Sequence, residues 1–310
     1  MTALRTLSGS TPKPYIFGTM QWGDRADEAA SRAMFEACQA AGICHFDTAH
    51  VYTNGNSETL LGKFASSERE ALYVATKVAY TGGSGRANIT RCFDTSRQRL
   101  NMDVVDLLYL HRFDDQTPLA ETFETLADLQ SKGLIRHIGV SNFAAWQVVK
   151  AQGVAASFGT RIDVIQPMYS LVKRQAEVEI LPMAHDLGLV AATYSPLGGG
   201  LLTGKYVKGA TGRLTEDTRY AARYGQTWMH STAETLADLA HTEGVSPATL
   251  AVAWVAKHKL APQPILSARS VDQLQASLEA VPFEMSDSLY AQITSLSIAP
   301  APATDRLEEA

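Results

Sequence analysis

Eight short apolar runs, separated by segments with helical periodicity, constrain the fold of this chain most strongly. They are rich in Val, Ile, Leu and Tyr and are bounded by Gly, Asp, Asn or Pro, as buried parallel strands are. The runs occupy residues 15–20, 44–49, 72–78, 104–111, 135–142, 163–170, 189–196 and 263–268. Strand–helix alternation repeated eight times predicts an α/β fold of the (β/α)8 TIM barrel type. A doubly wound sheet is the structural alternative.

Two of the intervening segments carry helix-boundary signals. In residues 117–132, Thr117 suits an N-cap and Pro118 the first helical position, and a glycine follows the last turn. The segment 233–257 is interrupted by glycine, serine and proline within residues 244–247. This interruption predicts two helices rather than one.

The domain organisation follows from the same repeat. No linker is visible, so residues 1–298 are expected to form a single domain. Residues 197–232 form a connection after the seventh strand that is long enough to predict a lid or binding loop. The terminal segment 299–310, APAPATDRLEEA, has the composition of a disordered tail.

Charge and cysteine content narrow the classes of function. The net charge of −5 gives no basic surface for nucleic acid or an anionic membrane. No apolar run is long enough to cross a bilayer, and the N-terminus carries no secretory signal. Cys38, Cys44 and Cys92 match neither a CxxC nor a zinc pattern. We therefore expect a cytoplasmic protein with reduced thiols and no metal site, a monomer or weak homo-oligomer that acts on a small molecule.

Barrel enzymes keep their active sites at the carboxyl ends of the strands. Polar side chains at or just after the predicted strand ends are therefore the candidates for chemistry. They are Asp47, Tyr52, Lys77, His111, Ser141, Asn142, Gln166, Tyr194, Ser195, Ser267 and Arg269.

Lys77 stands out because it lies in an otherwise apolar strand, where an unpaired ammonium is costly. Asp47, one strand away, is its natural counter-charge. A tyrosine has an ordinary pKa of about 10, and a nearby ammonium lowers that pKa, so Tyr52 would become a general acid near neutral pH. The alternatives are a purely structural ion pair for Lys77 and a core histidine for His111.

Six motifs resemble, in order, those of the aldo-keto reductase superfamily, from about residue 15 to residue 282. They are FDTAHVYTNGNSETLLGK (46–63), ATKV (75–78), VVDLLYLHRFD (104–114), GLIRHIGVSNF (133–143), QPMYS (166–170) and YSPLGGGLLTGKY (194–206). The resemblance implies reduction of an aldehyde or ketone to an alcohol. The hydride would come from nicotinamide C4 of NADPH, with NADH as an alternative cofactor.

The resemblance also assigns roles to residues. Tyr52 would protonate the carbonyl oxygen, Lys77 and Asp47 would tune its acidity, and His111 would orient the carbonyl. The cofactor would contact residues from most strand ends, with the carboxamide held by residues 141, 142 and 166 and the ring stacked on residue 194. The full cofactor set is Gly18, Thr19, Met20, Asp47, Ser141, Asn142, Gln166, Tyr194, Ser195, Pro196, Leu197, Gly198, Gly200, Leu201, Lys205, Ser267, Ala268, Arg269 and Gln273.

Two parts of this cofactor set have a physical reading of their own. Gly198, Gly199 and Gly200 would let backbone amides approach a pyrophosphate closely, although a glycine run also fits a flexible loop. In residues 265–277, ILSARSVDQLQAS, the sequence departs from the family pattern at Leu266, Ser267 and Ser277 but keeps Gln273. Arg269 would clamp a 2′-phosphate, or would be an ordinary solvent-exposed arginine.

The substrate pocket is expected to include Trp22, Tyr52, His111 and Arg112. Arg112 would meet an anionic substrate or pair with one of the two following aspartates. Aromatic residues between 206 and 228 would line the pocket or pack the loops.

Two other functions are compatible with the residues. Some members of the superfamily resemble regulatory subunits of membrane channels, which keep the cofactor site. A Schiff-base lyase or hydrolase using Lys77 is a third possibility. No GxGxxG follows the first strand, which argues against a Rossmann dinucleotide site.

Overall fold

Eight parallel strands close into a barrel in chain order, β1 to β8, in a computed structural model that describes residues 3–206 and 211–309. The strands are β1 Ile16–Gly18, β2 His45–Asp47, β3 Tyr73–Val78, β4 Val105–Leu110, β5 Ile135–Ser141, β6 Val164–Gln166, β7 Val190–Tyr194 and β8 Gln263–Leu266. β1 closes the ring by pairing Ile16 with both His45 of β2 and Ile265 of β8. The expected TIM barrel is confirmed, and the doubly wound sheet is excluded.

At least one helix follows each of the eight strands. Eight helices form the outer ring: α1 Glu28–Ala40, α2 Asn56–Ala65, α3 Arg86–Leu100, α4 Leu119–Ser131, α5 Ala145–Ala156, α6 Ile180–Asp186, α10 Pro247–Lys257 and α11 Val271–Leu278. Four further helices are α7 Arg213–Glu216, α8 Thr218–Tyr224, α9 Thr227–Thr242 and α12 Asp287–Ser295. The long connection after β7 therefore carries short helices of its own, together with a 3-10 segment at Gly198–Thr203.

The two helix-boundary predictions have different outcomes. The break in 233–257 is confirmed, since α9 ends at Thr242 and α10 begins at Pro247, with the Ser246 hydroxyl accepting from the Ala248 amide at 3.3 Å. In contrast, α4 begins one residue later than predicted. Pro118 is the N-cap, and the Thr117 hydroxyl donates instead to Asp114 at 2.5 Å.

The barrel interior is packed rather than open. Alternate residues of each strand point inward, and Tyr73 and Tyr109 fill the centre with small aliphatic side chains around them. A Cβ at Gly139 of β5 would overlap the Tyr109 ring, so this position must stay bare. The polar inward positions Asp47 and Lys77 are consequently confined to the carboxyl end of the barrel.

The end of the chain and its apolar content bear on two other expectations. Residues 299–309 follow α12 and end in a 3-10 turn at Leu307–Glu309. The disorder expected for 299–310 stays a prediction, and residue 310 lies outside the described residues. In the part of the chain that is described, no helix combines the length and apolarity needed to span a lipid bilayer.

Candidate active site

A buried ion pair joins the ends of β2 and β3. The Lys77 ammonium donates to the Asp47 carboxylate and, at 2.8 Å, to the carbonyl oxygen of Thr48. Both side chains are almost completely buried. The second Asp47 oxygen accepts from the amide of Gln166 at 2.9 Å. Burial raises the pKa of Asp47, and these two donors oppose that effect.

Tyr52 lies directly above this pair. It begins the 3-10 turn Tyr52–Gly55 that follows β2, and the Lys77 ammonium is 5.0 Å from its ring centre. The ring meets the His111 imidazole edge to face, with centres 5.8 Å apart. The four side chains expected to carry the chemistry therefore occupy one place.

Lys77 lowers the pKa of Tyr52 as expected, but the net shift of that pKa is upward, so the predicted net lowering is wrong. Burial raises the pKa of Tyr52 above its ordinary value, because the phenolate would lose its hydration, and the Lys77 charge offsets only part of this shift. Asp47 adds to the increase. The phenol is therefore fully protonated at neutral pH, the form that a proton donor requires.

The Lys77 ammonium is held in its charged form. Burial tends to lower the pKa of Lys77, but the Asp47 carboxylate and the Tyr52 phenol outweigh it and leave the pKa above its usual range. The positive charge beneath Tyr52 is thus present throughout the physiological pH range.

His111 is neutral for the opposite reason. Burial, with smaller contributions from Lys77 and Arg112, lowers the pKa of His111 to about 3. Its Nδ1 atom has no hydrogen-bond partner among the described residues. A neutral imidazole keeps one N–H group, which can donate a hydrogen bond to a ligand oxygen.

Side chains from β5, β6 and β7 form a second polar row next to the ion pair. The Asn142 amide donates to the His111 carbonyl oxygen at 2.9 Å and to the Ser141 hydroxyl at 3.2 Å. Its own oxygen accepts from the Tyr194 hydroxyl at 2.8 Å. The Ser141 hydroxyl donates to the Gln166 carbonyl oxygen at 3.1 Å. The four residues expected at the carboxamide and ring of a cofactor are thus brought together.

The chain turns sharply after β7 through left-handed backbone. Ser195 has φ 62°, and Gly198, Gly199 and Gly200 have φ 57°, 65° and 97°. The three consecutive glycines remove the steric penalty at residues 198–200, whereas Ser195 adopts positive φ with a side chain. A Cβ at Gly199 would lie 2.8 Å from the Tyr220 ring, so the glycine run is packed against neighbours.

The aromatic residues after β7 pack this turn. Tyr220 and Tyr224 stack with ring centres 6.3 Å apart at 29°, and Tyr224 is fully buried. The Lys205 ammonium lies 4.8 Å from the centre of the Tyr206 ring. The aromatic residues were expected either to line the substrate pocket or to pack the loops. Tyr220 and Tyr224 pack the loop, against Gly199.

The segment after β8 leads into α11. The Arg269 amide donates to the Gln273 side chain at 3.3 Å, and the Ser270 hydroxyl accepts from the Gln273 amide at 3.3 Å. Arg269 is half-buried and Ser267 exposed, whereas Ser277 is buried. Gln273 therefore stabilises the helix start beside Arg269.

A family model described as "Aldo/keto reductase family" matches residues 14–298. The chain belongs to the aldo/keto reductase family. This membership confirms the resemblance noted in the motifs and makes the protein an oxidoreductase from a family that generally uses nicotinamide cofactors.

Named relatives of this aldo/keto reductase agree with that membership. An "Uncharacterized oxidoreductase YrpG" of Bacillus subtilis is 33% identical, over 93% of both chains. A "Probable voltage-gated potassium channel subunit beta" of Arabidopsis thaliana is 31% identical, over 88% of this chain and 89% of that protein. "Aflatoxin B1 aldehyde reductase member 2" of Rattus norvegicus is 37% identical, over 66% of this chain and 58% of that protein.

The remaining sequence-based candidates lie around the same end of this reductase. Gly18 ends β1, Thr19 is buried and donates to the Asp47 carbonyl oxygen at 3.2 Å, and Met20 is 36% exposed. Ala268, Pro196 and Leu201 are buried, and Leu197 is half-buried.

Trp22 and Arg112, both expected in the substrate pocket, differ in their surroundings. Arg112 adjoins the site through Tyr80, whose ring centre is 4.8 Å from that of His111. Trp22 is fully buried and packs against Phe17 and Phe64, with ring centres 5.5 Å away in each case. The Arg112 guanidinium lies 5.3 Å from the Tyr80 ring centre and forms no ion pair among residues 3–206 and 211–309. Arg112 thus remains exposed, while Trp22 belongs to the core.

Sequence reasoning missed an ion pair that connects two loops. Arg25, after β1, lies 3.8 Å from Glu216 of α7. Both side chains sit in polar segments without periodicity, so only the opposite charges in two loops at the same barrel end could have indicated the pairing.

Proposed function

We propose that this protein reduces the carbonyl group of an aldehyde or ketone to an alcohol with NADPH. The observation that carries the proposal is the convergence of a protonated phenol, a buried ammonium–carboxylate pair and a neutral imidazole at one barrel end. Together these four groups provide what proton donation to a developing alkoxide requires: an acid, a counter-charge for the phenolate that it leaves, and a hydrogen-bond donor to the oxygen.

The chain's own residues divide the work. Tyr52 gives its proton to the substrate oxygen, and Lys77 stabilises the phenolate that remains, because its charge lies directly below the ring. His111, kept neutral by burial, donates a hydrogen bond to the same oxygen and fixes its position. Asp47 keeps Lys77 charged and in place.

A bound nicotinamide cofactor would supply the hydride that the carbonyl carbon receives. Ser141, Asn142 and Gln166 would hold its carboxamide, and Tyr194 would cover the ring. The left-handed, side-chain-free turn Gly198–Gly200 would let the pyrophosphate approach the chain closely. The amides of Gly198 and Gly200 already donate to the carbonyl oxygens of Ser195 and Leu197, at 2.9 Å in each case. Arg269, at the start of α11, would bind a 2′-phosphate and favour NADPH over NADH.

A regulatory subunit that keeps the cofactor site is the second candidate function. It is favoured by the 31% identity to a probable voltage-gated potassium channel subunit beta of Arabidopsis thaliana. A Schiff-base role for Lys77 is disfavoured, because an ammonium whose pKa is raised by Asp47 is a poor nucleophile.

We place the protein in the cytoplasm, as a monomer or weak homo-oligomer. Cys38, Cys44 and Cys92 are all free thiols, and burial raises the pKa of Cys38 and of Cys44. Such thiols suit a reducing compartment.

The test is a panel of aromatic, aliphatic and sugar-like carbonyls, assayed with NADPH and with NADH, together with the solution mass. We expect carbonyl-dependent oxidation of NADPH at a higher kcat/KM than that of NADH. Tight NADPH binding without turnover of any carbonyl, in a stable oligomer, would instead support the regulatory function.

A further inference from the structure

A cavity of about 330 Å³ lies behind the turn that carries Tyr52. Its walls come from the loops after β2 and β3 and from the outer face of α3. The polar side chains that line it are His50, Asn54, Tyr80, Thr81, Arg91 and Arg99, beside the thiol of Cys92. None of the residues proposed to hold the cofactor lines it, and it adjoins the active site through Tyr80, whose ring centre is 4.8 Å from that of His111.

The charges on the cavity wall are positive. Arg91 forms no ion pair with any residue in 3–206 or 211–309, and its guanidinium donates only to the neutral Asn88 side chain, at 2.5 Å. Arg99 pairs with the buried Glu58 at 3.2 Å. Burial, with Arg99 and Arg91, lowers the pKa of His50, and Glu58 opposes this. The wall therefore carries two guanidiniums against one carboxylate.

The roof of the cavity is strained backbone. Thr53, Asn54 and Gly55 have φ 46°, 55° and 95° in succession. A β-branched residue at positive φ is unusual and costs about 1–3 kcal/mol. The turn survives because the Thr53 hydroxyl donates to the Trp22 carbonyl oxygen at 2.8 Å and accepts from the Ser57 amide at 2.9 Å.

Arg99 connects the cavity to this turn. Its guanidinium donates to the His50 carbonyl oxygen at 3.0 Å, two residues before Tyr52. A Cβ at Gly55 would overlap the same guanidinium. Arg99 thus supports the chain on both sides of Tyr52, and a ligand that engages it acts on the segment that positions the proton donor.

We propose that this cavity is a second anion site, which binds a small phosphate monoester through Arg91 and Arg99. Guanidinium groups match phosphate oxygens in bidentate geometry, and the Asn54 amide and Thr81 hydroxyl supply neutral donors. The volume lies at the lower end of the range for small-molecule sites, which leaves room for an organic group beyond the phosphate.

The experiment is calorimetric titration of the full-length protein with glycerol phosphate, inorganic phosphate and acetate, with and without saturating NADPH. NADPH fills the phosphate sites of the cofactor, so heat that persists in its presence comes from elsewhere. We expect glycerol phosphate to bind more tightly than inorganic phosphate, and acetate to bind least.

Two charge-neutralising variants on the same helix provide the comparison. Arg91→Gln should weaken glycerol phosphate binding about tenfold or more, the effect of one charge-assisted contact. Arg86→Gln, whose guanidinium pairs with Glu124 at 2.9 Å on the surface, should leave binding unchanged. In the wild type, ligand should also slow amide hydrogen exchange in residues 51–55.

Three results would overturn the proposal: no binding by the wild type at millimolar ligand, unchanged binding by Arg91→Gln, or equal weakening in both variants. The last two would mean an adventitious ion on the protein surface. The arm with NADPH rests on the proposed cofactor. The comparison of Arg91→Gln with Arg86→Gln needs neither NADPH nor turnover, so failure of the reductase proposal would leave that comparison intact.

Discussion

The Lys77 ammonium lies 5.0 Å from the centre of the Tyr52 ring, while its hydrogen bonds go to Asp47 and to the Thr48 carbonyl oxygen. The amine is therefore anchored from below, and its charge faces the phenol. A group that loses its proton during a reaction benefits most from a counter-charge that is already in place.

Replacement of Tyr52 by phenylalanine should reduce turnover by at least about 10²-fold, because it removes the proton donor. NADPH binding should be retained, since the ring remains. Steady-state oxidation of NADPH with an aldehyde, beside a fluorescence titration of the cofactor, measures both. Tyr290→Phe, at a half-buried tyrosine of α12 that stacks on Trp254, is the control. Full activity of Tyr52→Phe would remove this residue from the mechanism.

Variants of the ion pair separate its structural role from its chemical one. Lys77→Met leaves the Asp47 carboxylate buried without its charge partner and should lower the free energy of unfolding by about 3–5 kcal/mol. Adding Asp47→Leu should recover much of that stability but not the activity. Urea denaturation and turnover measure the two effects. If the double variant still reduced carbonyls, the Lys77–Asp47 ion pair would have a structural role only.

Arg269→Ala should raise the KM for NADPH about tenfold or more, because a charge-assisted contact to the 2′-phosphate is lost. The KM for NADH should change little, since NADH lacks that phosphate. The comparison of both cofactors in the same variant provides its own control. An equal increase for both would assign Arg269 to the stability of the α11 start.

His45 should make stability depend on pH. Burial, aided by Lys77, lowers the pKa of His45 to about 3 in the folded protein, whereas an unfolded histidine has a pKa of about 6.5. The contribution of neutral His45 to the free energy of unfolding is therefore fully present above pH 6.5. Below pH 6.5 the histidine is protonated in the unfolded chain but stays neutral in the folded protein. The free energy of unfolding therefore falls by about 1.4 kcal/mol per pH unit.

Urea unfolding at pH 7 and pH 5 measures this dependence. His45→Gln should lose about 2 kcal/mol less than the wild type between the two pH values. His241→Gln, at an exposed position on α9, should behave as the wild type. Equal losses in all three proteins would show that His45 does not titrate as its burial requires.

Gly199→Ala should destabilise the protein by about 1 kcal/mol or more and weaken cofactor binding. The alanine would need φ near 65° and would press on the Tyr220 and Tyr224 rings. Gly153→Ala is the matched control, because that position lies within α5 and a methyl group there would have no neighbouring heavy atom within 4 Å; it should be neutral or stabilising by up to about 1 kcal/mol. Equal stabilities of the two variants would contradict the packing argument.

The strands were predictable because their inward and outward faces are both apolar, so each run reads as a continuous stretch. Asp47, Lys77 and His111 were predictable as a group because polar residues at strand ends must meet at one barrel end. The burial of Trp22 in the core was not predictable, because a sequence does not show which side chains of a loop face the helices.

Two further features were beyond reach of the sequence. The direction of the Tyr52 pKa shift depends on whether desolvation or the Lys77 charge has the larger effect. That balance is set by the burial of the tyrosine in the folded protein. The cavity beside Arg91 and Arg99 arises where α3 passes the loops after β2 and β3. Its residues are spread over about 50 positions of the chain, without a shared motif.

Tyr109 packs against Gly139 and helps to fill the barrel interior in the described part of the chain, so Lys77 is approached from the carboxyl end of the barrel. Molecules that bind near Lys77 must enter and leave at this end of the barrel. Of two bound reactants, the one bound deeper must therefore bind first and be released last. Binding and release at this end of the barrel, rather than proton transfer, would then be the natural rate-limiting steps of the catalytic cycle.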